Sequence, residues 1–194
     1  MHVAVVGHVE SILFAVVPHM PVAGEIIHAE ETFEEPAGGG AVSAVQLAKL
    51  AGEATLYTAL GDDEYGHRAE DRLRGLGLRV MVVWRRELQR RGFVHLDSNA
   101  ERTITVIGSR LGPRGDDPLP WHELAETDAV YFTAGDAAAA RAARAARVGE
   151  ERRRRVGAGE ARQTWQWNLL EYTSRIGQRP GKYHCTSHGS FARQ

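Results

Sequence analysis

The sequence predicts an α/β protein, a parallel sheet with helical crossovers, into which a small antiparallel layer is inserted. Two observations carry this. Between residues 2 and 76, short apolar runs alternate with helical segments: His2–Val6, Val42–Leu50, Thr55–Leu60 and Glu64 to about Leu76. That strand–helix–strand–helix rhythm needs crossover connections, which join parallel strands. Between Arg79 and Ile107 the rhythm changes to three strand-like runs in succession, with turn residues in place of a helix.

Taken in order, His2–Val6 is an apolar run closed by Gly7 and reads as a buried strand. Ser11–Val17 is extended and is stopped by Pro18 and Pro21. Glu25–Glu35 mixes apolar and acidic residues and ends at Pro36, as an exposed strand would. Val42–Leu50 is an Ala/Leu/Val-rich helix with Gly52 placed as its C-terminal cap. Thr55–Leu60 is a strand closed by Gly61-Asp62-Asp63, where either aspartate is placed to cap the helix from Glu64. Gly75-Leu76-Gly77 ends that helix. Arg79–Trp84, Gly92–Asp97 and Thr103–Ile107 are strands, and Asp97-Ser98-Asn99 makes the last two a hairpin. Pro113–Pro120 is a loop, Ala129–Thr133 resumes the buried-strand pattern, and Asp136–Arg147 is an alanine-rich helix that Asp136 can cap.

At 194 residues, 43% hydrophobic and 25% charged, the composition is that of one globular domain or slightly more. A net charge of −1 argues against a nucleic-acid or anionic-membrane partner, and no apolar run is long enough to span a bilayer. The N-terminus carries no signal-peptide pattern, and a lone cysteine, Cys185, fits a reducing, cytoplasmic setting.

The most informative segment is Gly38-Gly39-Gly40-Ala41-Val42-Ser43, where three glycines stand at a helix start. Without Cβ atoms the backbone can approach a ligand, and the free N–H groups and positive dipole end favour an oxygen-rich or anionic group. A plain loop-to-helix turn is the alternative. Gly7-His8-Val9 follows a strand, but the G-x-G-x-x-G spacing of a dinucleotide site is absent, and there is no phosphate-binding G-x-x-x-x-G-K-[ST] loop. Asp62 and Asp63 read as helix caps in preference to Mg²⁺ ligands. Arg102 and the run Arg152 to Arg155 read as solvated charges; His184, Cys185 and His188 lack a fourth metal ligand.

Four stretches together resemble the N-terminal part of the PfkB family of ribokinase-like carbohydrate kinases. They are Val3-Ala4-Val5-Val6-Gly7, Pro21-Val22-Ala23-Gly24-Glu25, the glycine run through Ser43, and Leu60-Gly61-Asp62-Asp63-Glu64-Tyr65-Gly66. The last three are similar to the family's P-x-x-G-E, G-G-x-x-x-N and G-x-D-x-x-G patterns, and the resemblance covers about residues 2–147. It implies a doubly wound, ribokinase-like sheet, incomplete here, with a small β-lid from about 11–35 and 79–108 that closes over the substrate. It further implies transfer of the ATP γ-phosphate, with Mg²⁺, to a sugar or nucleoside hydroxyl, and a homodimer contact through the lid. Excluding water and positioning the acceptor hydroxyl are what such a lid supplies.

The resemblance places substrate contacts at Gly38, Gly39, Gly40 and Ser43. Ser43 stands where the family has Asn, and Ile12 falls where it has an acidic residue, so Glu10 is the candidate substitute. Asp136, after the strand Ala129–Thr133, is a further substrate-side candidate, with capping as its alternative. The family's C-terminal D-T-x-G-A-G-D, which supplies the anion hole and the base, is not in the sequence. No catalytic, cofactor-binding or metal-binding residue is therefore assigned, and an inactive chain is expected, without its own means of holding ATP. The text also changes character after Arg147: a charge block at Glu150–Arg155, then scattered glycines around Trp165, Trp167 and Tyr172, with no convincing strand from Val148 to Gln194. Residues 148–194 are expected to be a poorly ordered tail unrelated to the family, as a frame change or truncation would produce. A non-catalytic sugar-binding or lid-dimerising fragment is the alternative reading.

Overall fold

The computed structural model describes residues 1–155, with side chains through 146. Eight strands form two four-stranded sheets. The body sheet is all parallel in the order β5-β4-β1-β8, from β1 (His2–Val6), β4 (Glu53–Gly61), β5 (Arg79–Arg85) and β8 (Ala129–Phe132). The second sheet, the lid, has the order β3-β2-β6-β7, from β2 (Glu10–Val16), β3 (Glu31–Ala37), β6 (Arg91–Leu96) and β7 (Arg102–Ile107). Helices α1 (Gly38–Ala51), α2 (Glu64–Gly75) and α3 (Ala137–Arg155) and a 3₁₀ turn at Trp121–Glu126 complete the fold.

The period of two along β1 explains the layering. Val5 points into a core with Ala44 and Val45 of α1, Leu56 of β4 and Leu73 of α2. Ala4 and Val6 point to the opposite face, into a core with Tyr57, Leu124 and Ala143 of α3. A strand buried on both faces must be apolar throughout, which is why His2–Val6 was legible as a central strand. Burying each valine contributes about 1.5–3 kcal/mol. With α1 and α2 on one face and α3 on the other, the sheet is doubly wound.

Five expectations change. β5 pairs in parallel with β4, from Thr55↔Arg79 to Gly61↔Arg85, so it belongs to the body and the lid's later part begins at Arg91. The lid is mixed, because β2 and β6 run parallel while β2–β3 and β6–β7 are antiparallel. β3 starts at Glu31, not Glu25, and runs through Pro36; an edge strand has no partner to miss the proline's N–H. Helix α1 includes the three glycines, and α3 keeps a helical backbone to Arg155, past the break expected after residue 147. The expected β6–β7 hairpin is present: Asp97 Oδ1 accepts from the N–H groups of Asn99 and Glu101. Trp165, Trp167, Tyr172, His184, Cys185 and His188 lie outside the described residues.

The lid joins the body through a buried clamp. Gln89, 2% exposed, accepts from Gly61 N at 3.0 Å and donates to the Val9 carbonyl at 2.8 Å. Its own N–H donates to Asp63 Oδ2 at 2.9 Å, while Asp63 Oδ1 caps α2 by accepting from Gly66 N. Gln89→Leu strands a buried donor and a buried acceptor, so urea unfolding should show a loss of about 2–4 kcal/mol. Leu88→Ala, one residue away and exposed, should change stability by less than about 0.5 kcal/mol.

Candidate functional site

Strand order sets the location. From β1 the chain builds outward to β4 and β5 on one side and then places β8 on the other, so the order reverses between β1 and β8. In open α/β sheets, ligands sit outside the carboxyl ends of the strands at such a reversal. Here the carboxyl end of β1 continues as Gly7-His8-Val9 into the lid, and that of β8 as Thr133.

The glycine run meets both strand ends. β3 passes into α1 without a loop, and Gly38 makes the turn with φ +86°, a conformation costly for residues with a Cβ. Gly40 lies directly on Gly7: a Cβ on Gly40 would fall 2.6 Å from the Gly7 carbonyl carbon and 2.7 Å from the His8 oxygen. Gly40 N donates to that His8 oxygen at 3.0 Å. A Cβ on Gly39 would fall 2.5 Å from Thr133 Oγ1. Ala37 contributes no side-chain cap and the first turn holds no acidic residue, so the N-terminal end of α1 keeps its positive field toward the β1 and β8 strand ends.

Glu10 sits at the lid root, paired with Ala37 across β2 and β3. Its Oε1 lies 2.9 Å from Arg90 Nε and 3.4 Å from His8 Nε2, with all three side chains largely buried. His8, and then Arg90 and Arg110, hold the Glu10 carboxyl below its ordinary value of 4.5, while burial works in the opposite direction. Ser43 is buried one helical turn after Gly39, on the same stripe as Gln46, whose Nε2 has no partner among the described residues.

Asp136 is placed differently from Glu10. Its Oδ1 accepts from Ala139 N at 2.6 Å and from Gly115 N at 3.1 Å, which caps α3 and holds its carboxyl low. The structure thus brings Gly38, Gly39, Gly40 and Glu10 together and gives Asp136 the capping role that the sequence also allowed. Asp63 caps α2, and Asp62 contacts His67 on the surface. His8, Arg90 and Thr133 were not singled out from the sequence. Their only signal was position immediately beside a strand end. Among the described residues no three His, Cys, Asp or Glu side chains gather as ligands for a metal ion.

Two measurements check this geometry. Gly40→Ala forces backbone apart and should cost about 1–3 kcal/mol in thermal unfolding, whereas Gly75→Ala, with nothing within 4 Å, should stabilise by about 0.5–1 kcal/mol. For Glu10 the folded value lies below the unfolded one. Its contribution is therefore present above about pH 4.5 and lost as pH falls through the folded value. In acid unfolding from pH 7 to 2, Glu10→Gln should start less stable and show a shallower decline below pH 4.5 than the wild type.

The comparisons agree with this architecture. A family model described as pfkB family carbohydrate kinase matches residues 1–154. No curated protein matches the chain. Among solved structures, a ribokinase from Thermotoga maritima aligns with a TM-score of 0.55 and 24% identity, over 66% of this chain and 43% of its own. A ribokinase from Giardia lamblia gives 0.62 and 15%, over 77% and 51%. A ribokinase from Arabidopsis thaliana, complexed with ribose and ATP, gives 0.55 and 21%, over 74% and 50%. At these identities the likeness is one of fold, and this chain spans about half or less of each structure's length. With a family match that covers most of its residues, the chain belongs to the pfkB family of carbohydrate kinases.

Proposed function

We propose that the chain is the substrate-binding and lid portion of a sugar or nucleoside kinase, and that by itself it binds such a ligand without transferring phosphate. The observation that carries the reading is the uncapped glycine N-terminus of α1, set at the β1/β8 reversal beside the lid root. Hydroxyl-rich ligands suit that end: backbone N–H groups donate to oxygens, and glycines let a ring come close. Glu10, ionised and oriented by His8 and Arg90, is the acceptor for a ligand hydroxyl. The lid excludes water from the crevice. ATP and Mg²⁺ are the co-substrate and cofactor expected of the family, and the γ-phosphate would pass to a hydroxyl held here. The D-T-x-G-A-G-D string that would stabilise that transfer is not in the sequence, which supports a binding role for the chain alone.

A lid-mediated homodimer is the second reading. Val94 is flanked in register by Phe14 and Ile104, and Gly92 by Ile12 and Val106, which gives the lid one apolar face. Ile104 and Val106 on that face are 47% and 46% exposed, more than an isolated surface residue needs to explain.

Calorimetry with ribose and with adenosine, each with and without ATP–Mg²⁺, tests the first reading. Binding that is independent of ATP, lost in Gly39→Val and unaccompanied by phosphorylated product, is the expected outcome. ATP turnover abolished by that substitution would overturn the binding-only role, and no binding of either ligand would overturn the site. Sedimentation equilibrium on the same samples reads the lid contact.

A further inference from the structure

Away from the glycine site, one polar cluster joins the body to the lid. Helix α2 presents Tyr65, Arg68 and Arg72 along one stripe, at i, i+3 and i+7, toward the lid. Arg72 holds Glu35 of β3 in a two-pronged pair, Nε to Oε2 at 2.9 Å and Nη2 to Oε1 at 2.6 Å. Arg68 Nη2 lies 3.1 Å from Glu34 Oε2. The guanidinium groups of Arg68 and of Arg91, from β6, lie 5.0 and 4.5 Å from the centre of the Tyr65 ring. Ser11 Oγ of β2 donates to the Tyr65 carbonyl at 3.1 Å. A cleft of about 170 Å³ opens between these groups, so they bridge two bodies that are not otherwise packed solid at this point.

Every partner on one side of this cluster belongs to α2, and every partner on the other to β2, β3 or β6. Glu35 stands three residues before Gly38, in a strand that enters α1 without a loop. A pull on Glu35 is therefore delivered to the glycine turn. Each pair is partly exposed and single pairs of this kind contribute little, but a two-pronged Arg–carboxylate contact within a network is the case that holds.

We propose that the α2–β3 ion pairs form a latch that sets the orientation of the lid on the body and, through Glu35, positions the Gly38 turn. The latch is a property of the two sheets and stands whether or not the crevice takes a sugar. Arg72 and Glu35 are positioning residues, and their loss frees the lid without unfolding the body.

Amide hydrogen exchange on the full chain tests this without any ligand. In Arg72→Ala or Glu35→Ala, amides of β2, β3 and β6 should exchange about fivefold faster, with β1 and β4 unchanged. The double variant should be no faster than either single one, because one interaction is lost in all three, and the swap R72E/E35R should restore part of the protection. Raising KCl from about 0.05 to about 0.5 M should speed lid exchange in the wild type and do so less in the double variant, which keeps only the Arg68–Glu34 pair. Unchanged lid exchange in the variants, an equal rise in β1 and β4, or fully additive effects in the double variant would each overturn the latch. Should the variants not fold, salt-independent lid exchange in the wild type would do the same.

Discussion

Gly40 and Gly7 meet backbone to backbone, and the site end of the molecule is arranged around that contact. A Cβ on Gly7 would stand 2.6 Å from the Gly40 Cα, and one on Gly40 would stand 2.6 Å from the Gly7 carbonyl carbon, so neither position admits a side chain without separating helix from strand. The approach brings Gly40 N within 3.0 Å of the His8 carbonyl and lays Gly39 against Thr133 of the neighbouring strand end. Because β3 runs straight into α1, the same contact also fixes the root of the lid. One close approach therefore sets the helix N-terminus and the lid attachment together.

Around Gln89 the buried polar groups satisfy one another, which keeps that much buried polarity from being a liability. Gln89 bonds to Gly61 at the end of β4 and to Val9 just before β2, and Asp63 bonds to Gln89 and to the first turn of α2. Arg85, 11% exposed, meets Asp117 at 2.6 Å and ties the loop before the 3₁₀ turn to the end of β5. Removing one partner from such a pair leaves a buried charge alone, which costs more than the pair contributes. Glu10 is compensated in charge but not fully satisfied: its Oε1 lies 2.9 Å from Arg90 Nε and 3.4 Å from His8 Nε2, yet Arg90 Nε and His8 Nδ1 have no hydrogen-bond partner among the described residues.

What was legible in the sequence follows the range of the interaction responsible. The Asp97 turn and the Asp63 cap are local, decided within five residues, and both read correctly. β1 was legible because burial on two faces leaves an unbroken apolar run. β5 also read correctly as a strand, but its partner β4 lies across a helix, and nothing within Arg79–Trp84 says which sheet it joins. The start of α1 was set four residues late because three glycines argue against helix, and contacts to Gly7, His8 and Thr133 override that propensity. The site shows the same division. The candidate glycines stand together in the sequence as one motif and Glu10 follows from the resemblance as a substitute for the acid missing at Ile12, whereas Gln89 reaches Val9 across 80 positions and Thr133 meets Gly39 across nearly a hundred. Roles of that kind exist only once the strand ends are assembled.

The geometry at the strand reversal is a matter of where the helices leave the sheet. β1 and β8 are neighbours with the same direction, yet the helix that follows the lid after β1 packs on one face and the helix that follows β8 packs on the other. Both helices start beyond the carboxyl ends of these strands, where open α/β sheets place their ligands, and both first turns carry the positive end of a helix dipole. At α3 that field is met from within, by Asp136, which accepts from Ala139 N and Gly115 N. At α1 no side chain does the same, since Ala37 cannot cap and the first turn has no acid. The asymmetry selects one helix end of the two. The proposed site rests on that helix start: the fold brings it to the strand reversal, it opens with glycine, and it lacks a side-chain cap or first-turn acid of its own, so its N–H groups suit a ligand oxygen while Glu10 of the lid root stands beside them.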